Sequence, residues 1–220
     1  MPSTRPVDRP QEALAIAKRY LRRERPLSAL IVVFAVVGFL GTFVATSQIP
    51  AVIVGVLLIV GVRAPIIESR GTVRLRTDKD AESVTESFTG PTPPILVFQW
   101  GIADEIPTGD GTVTYRLSYL FGLRSVEMTV ETRTDRTPDS GRRIEVEITV
   151  GGHPWSTYVV TVDARDGETI VEYEYEYTAD RRFGLRRLPQ RIVAKRYRDE
   201  ALEAQGYAPI ERDEQYDVAI

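Results

Sequence analysis

The segment Glu172-Tyr173-Glu174-Tyr175-Glu176-Tyr177 sets three carboxylates and three phenols in strict alternation. A period of two sends the two sets to opposite faces of a strand, so Glu172, Glu174 and Glu176 read as a wetted outer face rather than as acid and base groups. Tyr173, Tyr175 and Tyr177 then lie on the covered face. With Trp100, Tyr115 and Tyr119 they offer apolar bodies with polar tips, suited to lining a ligand space and equally to filling a core. The single histidine, His153 in Gly151-Gly152-His153-Pro154, has no nucleophile-elbow motif and no second histidine to share a metal with, and reads as a turn residue. Asp163, Asp166 and Glu168 cluster at a hairpin turn, but their spacing fits no calcium loop. There is no Gly-rich phosphate loop. The absence of Cys excludes disulfides and thiolate metal sites, and no cofactor is expected.

Charge is unevenly placed. The 220 residues carry 28 Lys or Arg against 31 Asp or Glu, a formal net charge of -3. Residues 1–66 hold eight basic residues against three acidic ones, so the remainder is strongly acidic. Only Lys18, Lys79 and Lys195 are lysines and there is no Asn, a composition that resembles proteins of salt-loving archaea and, equally, products of a GC-rich genome. Residues 181–198 contain eight basic residues and no acid. Nucleic-acid binding is set aside because the domain as a whole is acidic. Arg186, Arg187 and Arg191, with Arg22, Arg23, Arg25 and Arg63, are expected instead at a surface of anionic membrane lipids.

The elements that must position these residues begin with an uncharged apolar run, Leu27 to Thr46, and a second from Ala51 to Val62 after the turn Ser47-Gln48-Ile49-Pro50. About twenty residues at helical rise match the roughly 30 Å of a bilayer core, which predicts a two-helix transmembrane hairpin over 27–67. Its basic flanks place both termini in the cytoplasm of a two-span cell-membrane protein. Ala35, Gly38, Gly41 and Ala45, facing Ala51 and Gly55, favour tight packing of the hairpin on itself or a homo-oligomer through it. A basic amphipathic helix in residues 1–26, capped by Asp8 with Pro10 in its first turn, is expected to lie in the headgroup region.

Beyond the hairpin the pattern is that of an α+β domain over 68–207, followed by an acidic tail at 208–220. Val73 and Leu75 open a strand, a short helix follows from Lys79 to Phe88, and the Pro-rich turn at 90–94 ends it. Six further strands are predicted at Ile95 to Ile106, Val113 to Tyr119, Val126 to Val130, Ile144 to Val150, Trp155 to Asp163 and Glu172 to Tyr177. A closing helix spans Leu188 to Gln205. Its stripe Val193, Tyr197, Ala201 and Ala204 is expected against the sheet, and Leu188, Ile192 and Leu202, nearly opposite, against a bilayer or partner.

Gly71-Thr72-Val73-Arg74-Leu75 as opening strand, Ala81 to Phe88 as small helix, and Ile170 to Tyr177 leading into Leu188 to Gly206 together resemble the helix-grip fold of the START-like superfamily. That superfamily includes polyketide cyclases, Bet v 1-like proteins and lipid-transfer domains. The resemblance covers about Ser69 to Tyr207. It implies a seven-stranded curved antiparallel sheet closed by the last helix, with a space between them for an apolar or amphipathic ligand lined by Trp100, Tyr115, Tyr119, Tyr173, Tyr175, Tyr177, Val193 and Tyr197. The chain departs from the pattern in its hairpin and in having a Pro-rich turn where a second small helix is usual. The function expected is non-catalytic binding of a lipid or other hydrophobic small molecule by a membrane-anchored domain. The alternatives are a tethered interaction or scaffold module with a filled core, and a cyclase-like enzyme, which needs an acid or base inside the cavity.

Overall fold

Alternation at period two builds most of this molecule. The computed structural model describes residues 7–63, 67–109, 111–119, 124–136, 141–165, 167–177 and 188–218. Its strands are β1 (Ile67–Thr77), β2 (Thr108–Gly109), β3 (Thr112–Tyr119), β4 (Arg124–Arg136), β5 (Arg142–Val150), β6 (His153–Arg165), β7 (Glu168–Tyr177) and β8 (Ala208–Val218). They form one antiparallel sheet in the order β2-β3-β4-β5-β6-β7-β1-β8. Val73, Leu75, Ile144, Val146, Val160, Val171 and Tyr173 line its covered face with almost no exposure. The β5–β6 hairpin turns on Gly151 and Gly152, both at positive φ, the conformation a two-residue turn needs to match strand twist.

Among the described residues five α-helices accompany the sheet: α1 (Gln11–Ala45), α2 (Gln48–Arg63), α3 (Ala81–Thr89), α4 (Val97–Trp100) and α5 (Leu188–Glu203). The start of α3 is fixed by Asp80, whose carboxylate accepts from the amides of Glu82 at 3.0 Å and Ser83 at 2.9 Å. Those bonds hold its carboxyl below the usual range. The end of α5 is fixed by Gly206 at φ 83°, after which the Tyr207 amide donates back to the Leu202 carbonyl at 3.0 Å.

Two strand assignments differ from the sequence pattern. Ile95 to Ile106 is no strand; a 3₁₀ turn, Pro94–Leu96, runs into α4. Pro94 is well placed in the first turn of such an element, and Pro94, Ile95, Leu96 and Val97 are all buried. An apolar run buried all round has no period to read. The second small helix, expected to be replaced by a Pro-rich turn, is therefore present. The acidic tail, in turn, is β8, paired with β1 from Ile67↔Val218 to Arg76↔Ala208. The sheet has eight strands rather than seven. Close approach of β8 is permitted by Gly71: a Cβ there would stand 2.7 Å from the Asp213 carbonyl oxygen.

The largest correction concerns the hairpin. Helix α1 is capped by Pro10 with no side-chain bond, not by Asp8, and continues across Pro26 to Ala45. The apolar side of its first half is taken up by the domain. Ala13, Ile16, Ala17 and Tyr20 are buried, and the Tyr20 ring stacks on Phe98 at 4.5 Å. Helix α2 has 16 residues, about 24 Å of helix, short of the roughly 30 Å of a bilayer core. Among the described residues no helix is long and apolar enough to cross a membrane. That finding overturns the transmembrane hairpin and, with it, the two-span localisation and the membrane orientation of the termini. Of the small residues, Gly55 marks the packing of the two helices, since a Cβ there would lie 2.8 Å from the Phe39 ring, whereas a Cβ on Gly41 would meet nothing within 4 Å.

Because β8 pairs along most of β1, a chain ending at Tyr207 should lose stability by several kcal/mol or fail to fold cooperatively. Urea denaturation followed by circular dichroism checks this; an unchanged midpoint would show that the eighth strand is dispensable.

Candidate functional site

The register of β6 and β7 brings together the tyrosines that the sequence singled out. Tyr173 pairs with Val160, Tyr175 with Tyr158 and Tyr177 with Ser156. Tyr158, Tyr173 and Tyr175 are buried and Tyr177 half-buried, while Glu174 and Glu176 are exposed. The rings touch in a continuous patch, with centroids 6.4 Å apart for Tyr158 and Tyr173, 6.1 Å for Tyr158 and Tyr175, and 5.9 Å for Tyr175 and Tyr177. Tyr158 shares a hydrogen bond with Tyr177. Two hydroxyls have none: Tyr173 Oη and Ser156 Oγ are buried without a hydrogen-bond partner. A buried polar atom left unpaired costs about 1–3 kcal/mol and calls for a water, an ion or a ligand.

Helix α5 faces this patch with a charge. Burial opposes the charged form of Arg198, but the phenol oxygens of Tyr177, Tyr173, Tyr158 and Tyr175 outweigh it and hold the guanidinium above its ordinary value. Burial likewise raises the hydroxyls of Tyr158 and Tyr173. One turn on, Leu202 is fully buried. The stripe expected on the sheet lies elsewhere: Tyr197 packs on Tyr20 at 5.8 Å, with Arg23 over its ring at 5.9 Å, and Arg19 pairs with Glu200 at 2.9 Å. The apolar stripe of α5 is thus the seat of α1, and its other face looks at the sheet.

Alongside runs a buried ion cluster that sequence reasoning missed. Arg212 of β8, with 8% of its side chain exposed, donates to Asp199 of α5 and to Glu214 of its own strand. Burial raises the Asp199 carboxyl above its usual value despite Arg212, Arg198 and Lys195. Burial would raise Glu214 as well, but the Arg212 hydrogen bond, with the charges of Arg212, Arg198 and Lys195, holds it below. Desolvation opposes the Arg212 charge, and Tyr173, Glu214 and Asp199 restore it. The signal in the sequence was an arginine set among the acids of the tail.

The other candidates lie apart. Trp100 is on α4 and gives its indole N–H to the Pro93 carbonyl at 2.9 Å, and Tyr115 gives its hydroxyl to Pro91 at 3.0 Å. Both serve the Pro-rich turn. Val193 is half-buried and Tyr197 faces α1. Arg22 and Arg23 are exposed on α1. The side chains of Tyr119, Arg25, Arg63, Arg191, Leu188 and Ile192, and all of Arg186 and Arg187, lie outside the described residues. His153 is exposed, and Asp166 is also outside the described residues. A separate cleft of about 570 Å³ opens at the far end of α5, lined by Lys79, Ser83, Ser87, Gln205 and Tyr207. There Lys79 donates to the Gln205 carbonyl at 2.8 Å and covers the Tyr207 ring at 4.6 Å.

An α+β chain whose antiparallel sheet is closed by a long late helix fits the helix-grip class. No known family and no curated protein matches the sequence. Among solved structures, a protein from Rhizobium loti aligns over 63% of this chain and 98% of its own, at 20% identity and a TM-score of 0.38. A conserved protein from Geobacillus kaustophilus covers 68% and 99%, at 14% identity and 0.39. Major latex-like protein 151 from Panax ginseng covers 62% and 97%, at 16% identity and 0.30. At such TM-scores these likenesses carry no argument, and the class rests on the order and packing of the elements.

Two measurements check this geometry. Tyr175→Ser should cost about 2–4 kcal/mol, against less than about 0.5 for Glu174→Ser, in urea denaturation; equal small losses would put the register wrong. The second is pH dependence. Glu214 titrates lower in the folded chain than the roughly 4.3 of an unfolded glutamate, so its contribution is complete above that value and is lost as the pH falls through the folded one. Asp199, shifted up, gains stability over its own folded value as the pH falls and partly offsets this. Glu214→Gln should therefore flatten the fall of the urea midpoint between about pH 5 and pH 3. A parallel fall in both proteins would contradict the pairing.

Proposed function

We propose that this domain binds an amphipathic small molecule between the tyrosine face of β6 and β7 and the Arg198 face of α5, without chemistry on it. The observation that carries the reading is the pair of buried, unpartnered hydroxyls, Tyr173 and Ser156, in an otherwise aromatic patch. Four touching tyrosine rings supply a large, stiff apolar surface for a hydrocarbon body, and the unpaired oxygens supply hydrogen bonding for a polar end. The acids brought near the site, Asp199 and Glu214, both accept from Arg212. They are engaged as ion-pair partners rather than free to exchange protons with a substrate. A scaffold role has one supporting observation, the burial of the tyrosines among the core residues.

Native mass spectrometry of the purified full chain separates the two. A bound small molecule at about one per chain, released on denaturation and depleted several-fold by Tyr175→Ser, is the expected result. A chain that carries no molecule and shows no saturable uptake of a hydrophobic fluorescent dye would reject the binding role in favour of the scaffold.

A further inference from the structure

We infer that the α1–α2 hairpin is the interface of a homodimer, in which the distal half of α1 packs against the same segment of a second copy of this chain. The inference is independent of the ligand role and begins from where apolar surface is left uncovered. Among the described residues sixteen large hydrophobic side chains are exposed, and fifteen of them lie between Leu30 and Val60. The rest of the described chain contributes only Ile210. At 48–85% exposure, these fifteen leave on the order of 1,000 Å² of apolar surface on the hairpin. The largest apolar patch of a typical monomer is about 300–600 Å². A stable interface takes about 800 Å² from each partner, so the hairpin carries enough surface for one.

The pattern of that surface selects the occupant. Leu30, Phe34, Val37, Gly41 and Val44 are all exposed and follow one another at intervals of four, three, four and three. That is the seam of a helix that packs on another helix. It runs along the side of α1 opposite Phe39, the residue that meets α2 at Gly55. Gly41 sits in the middle of the seam, where a Cβ would meet nothing within 4 Å. Glycine is a poor helix former, and nothing within one chain requires it there. A notch at that point lets a second helix come close, as small residues do where helices cross. Residues 27–62 hold no charged side chain, so the surface has no charge code with which to choose a different partner. A second copy brings the same uncharged seam and closes both by a two-fold, with α1 crossing α1 at Gly41 and the α2 helices flanking them.

The test is sedimentation velocity of the purified full chain over a dilution series, with a dimer as the expected species at the higher concentrations. Gly41→Leu should leave the urea midpoint unchanged or raised, because the new side chain meets open space within the chain and leucine favours helix. The same substitution fills the notch and should weaken the dimer about tenfold or more. Because the chain has no Cys, single cysteines report contact between copies without background. Val37→Cys, on the seam beside the crossing, should oxidise to a covalent dimer. Val36→Cys, about 100° round the helix, should not. A chain that stays monomeric at every concentration would overturn the interface, as would a dimer indifferent to Gly41→Leu in which both cysteines link equally. A monomer that floats with phosphatidylcholine and phosphatidylglycerol vesicles would overturn it in favour of a lipid surface. Assembly that grows without limit would overturn the two-fold.

Discussion

The contact on which the rest of the interior depends is the Arg212 clamp. Its guanidinium leaves β8, an edge strand, and takes one carboxylate from α5 and one from its own strand in surroundings that exclude most water. Removing one member of such a group typically costs about 3–5 kcal/mol, because the charge left behind is buried without compensation. A direct consequence is positional. Asp199 is bound toward β8, so its neighbour Arg198 is turned to the tyrosines of β6 and β7, and the helix cannot roll to present its apolar stripe to the sheet.

With that roll prevented, α5 serves two neighbours. Tyr197, with the small residues Ala194 and Ala201, makes the buried seat on which the first half of α1 lies. The opposite side, carrying Arg198 and Leu202, covers the concave face. The α1 seat is sealed further by Gly101, where a Cβ would come within 3.0 Å of the Ala17 methyl. The N-terminal helix therefore belongs to the domain as its outer layer, and the sheet, closing helix and α1 stack in that order.

What was legible in the sequence was whatever had one period and one buried face. The alternation in Val73 to Leu75, Ile144 to Val150 and Glu172 to Tyr177 read correctly as strands, and the inward set of tyrosines followed from parity. The failures have physical causes. Buried on all sides, 94–97 carries no period, so a helical turn read as a strand. Along β8, charged residues on both faces of an edge strand imitate a solvated tail, although Arg212 and Glu214 point inward and satisfy each other. On α5, two faces compete for burial, and the rule that the apolar stripe meets the sheet chose wrongly because a charged stripe is tolerable where phenols and a paired arginine receive it. For the hairpin, hydropathy alone indicated a span, whereas the packing of α1 on the domain and the length of α2 lie beyond composition.

The account turns on whether Arg212 holds α5 to β8. A double-mutant cycle of Arg212→Met and Asp199→Asn, read from urea denaturation of the full chain at neutral pH, measures that link directly. The clamp predicts a coupling energy of about 1–3 kcal/mol between helix and edge strand; additive effects within about 0.3 kcal/mol would mean that the two residues act independently and that something else orients the closing helix.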